Sequence, residues 1–244
     1  MKLLVTGATG LVGTEVIRQA LGVSSITSVV ALARREVKVP EQVAPDADTS
    51  KLKTVIVEDW EKYTPEVKEA IKGADACLWL LAITPAKSKA YVFDQVRKVC
   101  LDYTVAGIRE MSTVANKPFR FIYTAGAMTE RDQTKKLALL GEYRLMRGEV
   151  ENQVLAFASQ SSGAVEAQVT RPGAIDGPGR GMIVSAIAVA SAALGVMPKV
   201  HVSEIAAAML QQAEKGLEKE TLENADLVRL AKEVLGDGNE KYVK

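Results

Sequence analysis

The sequence predicts an α/β protein built on a doubly wound parallel sheet, with helices on both faces and a small C-terminal helical subregion. Short apolar runs alternate with segments of helical periodicity through residue 173, and the remainder is mainly helical in pattern. Strands that alternate with helices form parallel sheets, because each crossover helix packs back onto the sheet. We therefore expect a single domain over residues 1–244, with the helical subregion at about 174–235 lying over the carboxyl ends of the strands.

Strands are expected where short apolar or β-branched runs are bounded by turn residues. The run KLLVT ends at a glycine, ITSVVALA is rich in β-branched residues, and DACLWLLAIT is continuously apolar, as is typical of a central parallel strand. The six expected strands span 2–6, 26–33, 53–59, 75–84, 118–126 and 164–173.

Helices are expected where apolar residues recur at helical spacing, or where proline opens a segment and glycine closes it. The second pattern applies to TPEVKEAIKG, residues 64–73. The seven expected helices span 11–21, 64–73, 88–115, 133–160, 181–196, 203–215 and 221–235. A polar stretch at 35–50, which contains Pro40 and Pro45, is expected to be a loop.

Composition and charge exclude several classes of function. The formal net charge is +1 and aromatic residues make up 5%, so the sequence lacks the basic stripe typical of a nucleic-acid-binding protein. Cys77 and Cys100 lie in apolar segments without CxxC spacing, which indicates reduced thiols in a cytoplasmic protein. A single histidine rules out a histidine-rich metal site, and we expect no metal.

No targeting or membrane-spanning segment is expected. The start MKLLVTG meets glycine and threonine too early for a signal peptide. The longest apolar run, 182–197, falls short of the ~20 residues needed to span a bilayer. We interpret it as a buried or interface helix, with docking to a membrane as the alternative. As an interface helix, the 181–197 segment could bind a second copy of the chain or a protein partner.

A glycine-rich turn, TGATGLVG, joins the first strand to the first helix. In such a turn Gly7 permits the tight reversal, Gly10 lets backbone N–H groups approach a pyrophosphate, and Gly13 lets the helix pack closely on the sheet. The helix N-terminus supplies free N–H donors for phosphate. The alternative is a turn that binds nothing. The candidate cofactor residues of this turn are Gly7, Thr9, Gly10, Leu11, Val12 and Gly13.

Two arginines follow the second strand, where proteins that prefer NAD usually carry an acidic residue for the ribose hydroxyls. The strand runs VVALARRE, so Arg34 and Arg35 come directly after Ala33. Guanidinium donors match the oxygens of a 2′-phosphate, which favours NADP(H) over NAD. The alternative is a solvated basic turn.

Three motifs together resemble the extended and atypical short-chain dehydrogenases/reductases, whose fold is Rossmann-like and binds NAD(P)H. They are TGATGLVG, VED at the end of the third strand, and RPGAIDGP at 171–178. The segment YRLMRGEVENQV is similar to the Tat-interacting-protein-like group within that superfamily. The resemblance covers residues 1 to about 215.

The resemblance implies further cofactor contacts. Asp59 would touch the adenine with Trp60 beside it, although Asp59 could equally cap the following turn. Residues at the end of the fourth strand would line the ribose, with ordinary packing as the alternative: Leu81, Ala82, Ile83 and Thr84. The RPG segment would place its backbone N–H groups beside the nicotinamide carboxamide: Pro172, Gly173 and Ala174.

The resemblance also implies a catalytic tyrosine, where active members carry Tyr-x-x-x-Lys on a helix. Here the motif is Tyr143 followed by Arg147, and positions i and i+4 share a helix face. The cation would lower the pKa of the tyrosine, although arginine does not shuttle protons. Thr124 would orient the carbonyl, with Thr129 as a rival and Ala125 where many relatives have serine. Ordinary packing of Tyr143 is the alternative.

Two hypotheses about function follow. The first is an NADP(H)-dependent oxidoreductase that reduces a small, largely apolar carbonyl substrate, because the 181–196 segment is rich in Ala, Val and Ile. The second is a non-catalytic NADPH-binding sensor or interaction scaffold, which Arg147 and Ala125 favour. Arg171 is interpreted as a structural anchor, and His201, ahead of an expected helix cap at Ser203, as structural too.

Overall fold

The computed structural model describes residues 1–178 and 198–236. Its main sheet has seven strands, all paired in parallel, in the order β3-β2-β1-β4-β5-β6-β9. These strands are β1 Lys2–Thr6, β2 Ser28–Ala33, β3 Leu52–Ile56, β4 Ala76–Trp79, β5 Phe119–Thr124, β6 Val165–Arg171 and β9 Thr221–Glu223. A separate two-stranded sheet pairs β7 Ala174–Asp176 with β8 Lys199–His201.

Helices connect the strands and cover both faces of the sheet. They are α1 Leu11–Gly22, α2 Pro65–Ile71, α3 Pro85–Ser88, α4 Phe93–Arg97, α5 Tyr103–Ser112, α6 Gly141–Gln160, α7 Val202–Lys215 and α8 Asn224–Leu235. A short 3₁₀ turn spans Thr49–Lys51, and a π-helical turn, Lys98–Asp102, joins α4 to α5.

The core is divided between the two faces because successive side chains of a strand point in opposite directions. In β1, Leu3 and Val5 pack into one layer with α1 and α7, while Leu4 packs into the other with α5 and α6. The strand order reverses direction between β1 and β4. In doubly wound sheets ligands bind at this switch point, beyond the carboxyl ends of the strands. The expected fold class is confirmed.

Several elements differ from the sequence expectations. The helix expected at 221–235 loses its first turn to β9, which pairs with the last residues of β6. The strand expected at 75–84 ends at Trp79, because the chain leaves the sheet at the switch point. The helix expected at 181–196 lies outside the described residues.

Two helices are shorter than expected from the sequence. The segment at 88–115 divides into α4, the π-helical turn and α5. Gly107 allows α5 to approach the sheet, since a Cβ there would lie 2.3 Å from the Trp79 ring. The segment at 133–160 is helical only from Gly141, after Leu140 adopts a left-handed conformation with φ of 52°.

Candidate functional site

The first glycine of the turn lies at the switch point between β1 and β4. Gly7 has a φ of +62°, and a Cβ at this position would lie 2.6 Å from the Leu80 carbonyl oxygen. The buried Thr6 hydroxyl accepts hydrogen bonds from the N–H groups of Leu80 and Leu81, at 3.0 and 3.2 Å. Thr6 and Gly7 therefore hold the two strand ends together, and Gly7 leaves no room for a side chain.

The other two glycines bring the start of α1 against the turn. A Cβ on Gly13 would lie 2.4 Å from the Gly7 carbonyl oxygen, so only glycine permits this approach. Gly10 is the N-cap of α1, and its N–H donates to the Gly7 carbonyl at 2.9 Å.

The N-terminus of α1 has the properties of an anion site. No side chain caps the helix, and its first turn, which includes Leu11 and Val12, contains no acidic residue. Thr9 and Gly10 are exposed beside it. Because first-turn N–H groups lack partners within a helix, they can donate to a phosphate here.

Arg34 and Arg35 directly follow β2, at its carboxyl end. Both side chains are exposed. Within residues 1–178 and 198–236 neither forms an ion pair or a side-chain hydrogen bond. Their guanidinium donors are therefore available to a ligand.

Asp59 and Trp60 follow β3 and have different surroundings. Asp59 is exposed, and its Oδ1 accepts from the Glu61 N–H at 2.8 Å, so it caps the turn as in the alternative interpretation. Trp60 is only 4% exposed. Its ring lies edge-on to Trp79 at 5.9 Å between centroids and stacks on Tyr103 at 6.5 Å. The Trp60 ring therefore belongs to the core.

The segment after β4 connects to the candidate catalytic helix through Ile83. Leu81, Ala82 and Ile83 are half-buried, and Thr84 is exposed. The Tyr143 hydroxyl donates to the Ile83 carbonyl oxygen at 2.9 Å, and the Ile83 N–H donates to the Cys100 sulfur at 3.3 Å. The segment 81–84, which was expected to line a ribose, therefore holds the Tyr143 hydroxyl through the Ile83 carbonyl.

Burial sets the acidity of Tyr143. Removal from water raises the pKa of Tyr143, and the nearby positive charge of Arg147 opposes this only in part. Arg147 therefore acts on the Tyr143 pKa in the expected direction, but burial outweighs it and the net shift is upward. At neutral pH the hydroxyl is protonated and can act as a proton donor.

Arg147 is directed at the sheet. Its side chain is 3% exposed, and its Nη2 donates to the Thr124 carbonyl oxygen. The guanidinium carbon lies 5.0 Å from the centroid of the Tyr123 ring, a cation–π contact. Arg147 is a neighbour of Tyr143, as expected for positions i and i+4, but its observed partners are in β5.

The Thr124 hydroxyl lies on the other side of the sheet from Tyr143. It accepts from the Thr170 hydroxyl at 3.0 Å and donates to the Met209 sulfur at 3.7 Å. Met209 belongs to the core layer of α1 and α7, whereas Tyr143 packs against the layer of α6. The structure thus brings Tyr143 and Arg147 together but does not bring the Thr124 hydroxyl to them. Thr129, the rival candidate, is half-buried.

The RPG segment uses its backbone donors within the protein. The Gly173 N–H donates to Asn224 Oδ1 at 2.8 Å, and the Ala174 N–H donates to the Pro198 carbonyl oxygen at 2.8 Å. Pro172 has no N–H to offer. The expectation that these donors are available to a carboxamide is therefore wrong for this structure. Nothing local in the sequence marks Asn224 or Pro198 as the acceptors.

Arg171 is a structural anchor, as interpreted from the sequence. Its guanidinium binds the fully buried Glu151 carboxylate, and also Glu223 at 3.3 Å. Arg131 binds the same Glu151 carboxylate at 2.6 Å. Glu151 cannot be recognised from the sequence, because a glutamate within a helical pattern gives no sign of burial.

His201 is the N-cap residue of α7, two residues before the expected cap at Ser203. Its Nδ1 lies 3.3 Å from the Ser203 N–H, and its own N–H donates to Glu204 Oε2 at 2.7 Å. The expectation of a cap at Ser203 is wrong, and the structural interpretation of His201 agrees with these contacts.

These features define a nucleotide-binding protein with a doubly wound parallel sheet and a glycine-rich phosphate turn. A family model described as NAD(P)H-binding matches residues 7–215. The chain therefore belongs to this NAD(P)H-binding family, and the resemblance to the extended and atypical short-chain dehydrogenases/reductases is confirmed at that level. The narrower Tat-interacting-protein-like grouping stays a prediction.

Individual relatives agree with the family. Protein fmp52, mitochondrial, of Aspergillus niger is 26% identical over 195 residues, which cover 80% of this chain and 75% of the relative. The solved structure of MoeE5 in complex with UDP-glucose and NAD has 17% identity and a TM-score of 0.67, covering 97% of this chain and 82% of that one. Vestitone reductase from alfalfa has 20% identity and a TM-score of 0.64, covering 91% and 76%.

The described part of the chain adds two observations. Within residues 1–178 and 198–236, no helix is long and apolar enough to cross a membrane. The same residues contain no cluster of His, Cys, Asp and Glu side chains that could hold a metal ion.

Proposed function

We propose that this chain binds NADP(H) in preference to NAD(H). The observation that carries the proposal is the pair of exposed arginines, Arg34 and Arg35, which have no ion pair or side-chain hydrogen bond in the described residues. They follow β2, the strand paired with β1, and β1 leads into the glycine turn and the uncapped N-terminus of α1. A 2′-phosphate placed there would gain charge-assisted hydrogen bonds, while the α1 N-terminus would take the pyrophosphate. The close approach that Gly13 permits, where any Cβ would clash, fits the same group.

Equilibrium titration tests this preference. We expect NADPH to bind at least about tenfold more tightly than NADH, and the Arg34→Ala/Arg35→Ala double variant to lose that difference. Lys38→Ala is the matched control, because Lys38 is an exposed cation on the same segment. Equal affinity of the wild-type protein for the two cofactors would contradict the proposal.

For activity, we propose reduction of a small, largely apolar carbonyl compound. When bound, the reduced nicotinamide supplies a hydride to the carbonyl carbon. Tyr143 would donate its hydroxyl proton to the carbonyl oxygen, giving an alcohol, and the phenolate would regain a proton from water. The raised pKa of Tyr143 supports the donor role, because burial keeps the hydroxyl protonated. The hydroxyl would first leave the Ile83 carbonyl.

A panel of aldehydes and ketones of increasing apolar size, with NADPH consumption as the readout, tests the activity. We expect consumption that depends on both substrate and enzyme concentration and that is lost in Tyr143→Phe. Product analysis should find one alcohol per NADPH oxidised.

A non-catalytic NADPH-binding sensor or interaction scaffold is the second candidate, and the position of Arg147 favours it. Active relatives use a lysine at this place, whereas Arg147 donates to the Thr124 carbonyl and lies over the Tyr123 ring. Tight NADPH binding without turnover in the wild-type protein, combined with turnover in Arg147→Lys, would support the sensor. Turnover by the wild-type protein would exclude it.

Location and assembly are further proposals. Cys77 and Cys100 are buried and form no disulfide, which supports a reducing compartment such as the cytoplasm. Two fungal relatives are named as mitochondrial proteins. A homodimer or protein partner bound through 181–197 rests on the apolar sequence of that segment, which lies outside the described residues. Cell fractionation and light scattering test the two proposals.

A further inference from the structure

The edge strand β3 leaves backbone hydrogen-bonding groups free. It stands at one end of the strand order and, among the described strands, pairs only with β2. The Val57 N–H donates to the Ala33 carbonyl at 2.9 Å, next to the register pair of Ala33 with Ile56. The N–H and C=O groups of successive residues point to alternate sides of a strand, so those of Thr54 and Ile56 point away from β2. This edge can therefore accept another strand.

A groove of about 620 Å³ lies beside this edge. It is lined by the segment 36–39 and by Leu52, Thr54 and Ile56. The Thr54 hydroxyl oxygen accepts from the Val37 N–H at 3.0 Å, and the hydroxyl lies 3.4 Å from the Val37 carbonyl oxygen as a donor. Val37 is therefore level with Thr54, the middle residue of β3.

The chain that follows β2 runs back along β3 in the opposite direction. Ala33 is paired with Ile56, and Val37, four residues later, is level with Thr54. Continued in this direction, the chain brings Val39 to the amino end of β3. Val39 and Ile56, which are 44% and 45% exposed, therefore lie at opposite ends of the groove.

Two opposite charges flank the middle of the groove. Glu36 and Lys38 come directly before and after Val37, and both are exposed. Neither forms an ion pair within residues 1–178 and 198–236. Because Val37 is level with Thr54, a twofold axis at Thr54 exchanges the acidic side of the groove with the basic side. The surface is therefore complementary to itself under this rotation.

We propose that the β3 edge and this groove bind a second copy of the chain, with the two β3 strands antiparallel about a twofold axis at Thr54. Thr54 then pairs with the partner's Thr54, and Leu52 with the partner's Ile56, through the backbone groups that point away from β2. Lys53 stands opposite the partner's Val55, so no like charges face each other across the strands. The two seven-stranded sheets become one continuous sheet.

The same axis brings complementary side chains together beside the strands. Glu36 of one protomer comes next to the partner's Lys38, and Val39 comes next to the partner's Ile56. Each contact occurs twice, because the two protomers present the same surface. The backbone hydrogen bonds supply affinity, and the charge pairs fix the register of the two strands.

Analytical ultracentrifugation of the full chain tests the interface by charge reversal. We expect the wild-type protein at about 100 μM to have the mass of two 26.2 kDa chains. Glu36→Lys and Lys38→Glu should each weaken the dimer at least about tenfold, because each puts two pairs of like charges at the interface. The double variant Glu36→Lys/Lys38→Glu should restore the wild-type affinity. Glu142→Lys, at an exposed position on α6, is the matched control and should change nothing.

A backbone variant tests the strand pairing itself. Ile56→Pro removes an N–H that points away from β2, so it leaves the ladder between β2 and β3 intact. We expect this variant to be monomeric, with a circular dichroism spectrum like that of the wild-type protein. In the wild-type protein, hydrogen exchange at the Thr54 and Ile56 amides should be at least about tenfold slower in the dimer than at dilutions that give monomer.

Three results would overturn the proposal. One is a wild-type protein that stays monomeric at about 100 μM. Another is a dimer that both charge reversals and Ile56→Pro leave unchanged, since its interface would then lie elsewhere, such as at 181–197. The third is a double reversal that fails to restore the dimer, because Glu36 would then not lie beside the partner's Lys38.

Discussion

The Tyr143 hydroxyl donates to the Ile83 carbonyl oxygen at 2.9 Å, across the gap between the start of α6 and the segment that follows β4. The residue that could protonate a substrate is thus held by the chain that borders the switch point. The contact links the candidate catalytic helix to the candidate cofactor site. It also means that catalysis by Tyr143 requires an exchange of hydrogen-bond partners.

Replacing Tyr143 by phenylalanine separates catalysis from binding. We expect Tyr143→Phe to lower the rate of carbonyl reduction by at least about 10²-fold, because the proton donor is lost. NADPH affinity should stay within about twofold, since the hydroxyl donates to Ile83 and not to a free site. Stopped-flow kinetics and titration give the two values. An unchanged rate would remove Tyr143 from the mechanism.

The pH dependence of reduction should reflect the burial of Tyr143. Because its pKa is raised, the proton stays on the hydroxyl to a higher pH than in a free tyrosine, whose pKa is ~10. If Tyr143 is the donor, kcat for reduction should not fall as pH rises from neutrality to about 10. Measuring kcat at saturating NADPH checks this. A fall centred between pH 7 and 8 would point to another acid.

Gly13→Ala should damage the phosphate turn. The added Cβ would lie 2.4 Å from the Gly7 carbonyl oxygen and 2.9 Å from the Ala8 Cα, so backbone atoms must move. We expect NADPH affinity to fall by about tenfold or more in titration. Gly22→Ala is the matched control at the other end of α1, because its nearest neighbour, the Ala44 Cβ, lies 3.8 Å away. Equal effects of the two changes would argue against a specific role for Gly13.

Arg147→Lys should destabilise the fold whatever its effect on turnover. The change removes the contact of the guanidinium with the Tyr123 ring and its hydrogen bond to the Thr124 carbonyl, both at a buried position. We expect the free energy of unfolding to fall by about 1–3 kcal/mol in urea titrations. Arg109→Lys, at an exposed position on α5, should change it by less than about 0.5 kcal/mol. No loss in Arg147→Lys would mean that these contacts add nothing to stability.

Glu151→Gln should be more damaging still. The carboxylate is fully buried between Arg131 and Arg171, so the variant removes the buried anion that the two guanidinium groups share and leaves them only their more exposed carboxylate partners, Glu220 and Glu223. We expect a loss of about 3 kcal/mol in unfolding free energy. Glu166→Gln breaks a partly exposed pair with Arg120 and should cost less than about 1 kcal/mol. Similar losses in the two variants would contradict the argument from burial.

Local signals in the sequence predicted much of the fold but not its short elements. The six expected strands all occur, because a short apolar run bounded by turn residues is a strand signal that lies within a few consecutive residues. β9 was not expected, because three residues are too few for a periodic signal and its place is set by pairing with β6. α6 begins later than expected, at Gly141, because the polar stretch before it is compatible with either a loop or a helix.

The sequence by itself determined the class of the protein. The glycine turn between strand and helix and the two arginines after the second strand could be recognised there, because each motif consists of residues close together in the chain. The tertiary structure decided which donors are free. Arg147 donates a hydrogen bond to the Thr124 carbonyl, the Gly173 N–H donates to Asn224, and the Tyr143 hydroxyl donates to the Ile83 carbonyl. Each of these acceptors is distant in sequence, and a hydrogen bond between distant residues is formed only when the sheet and helices bring them together.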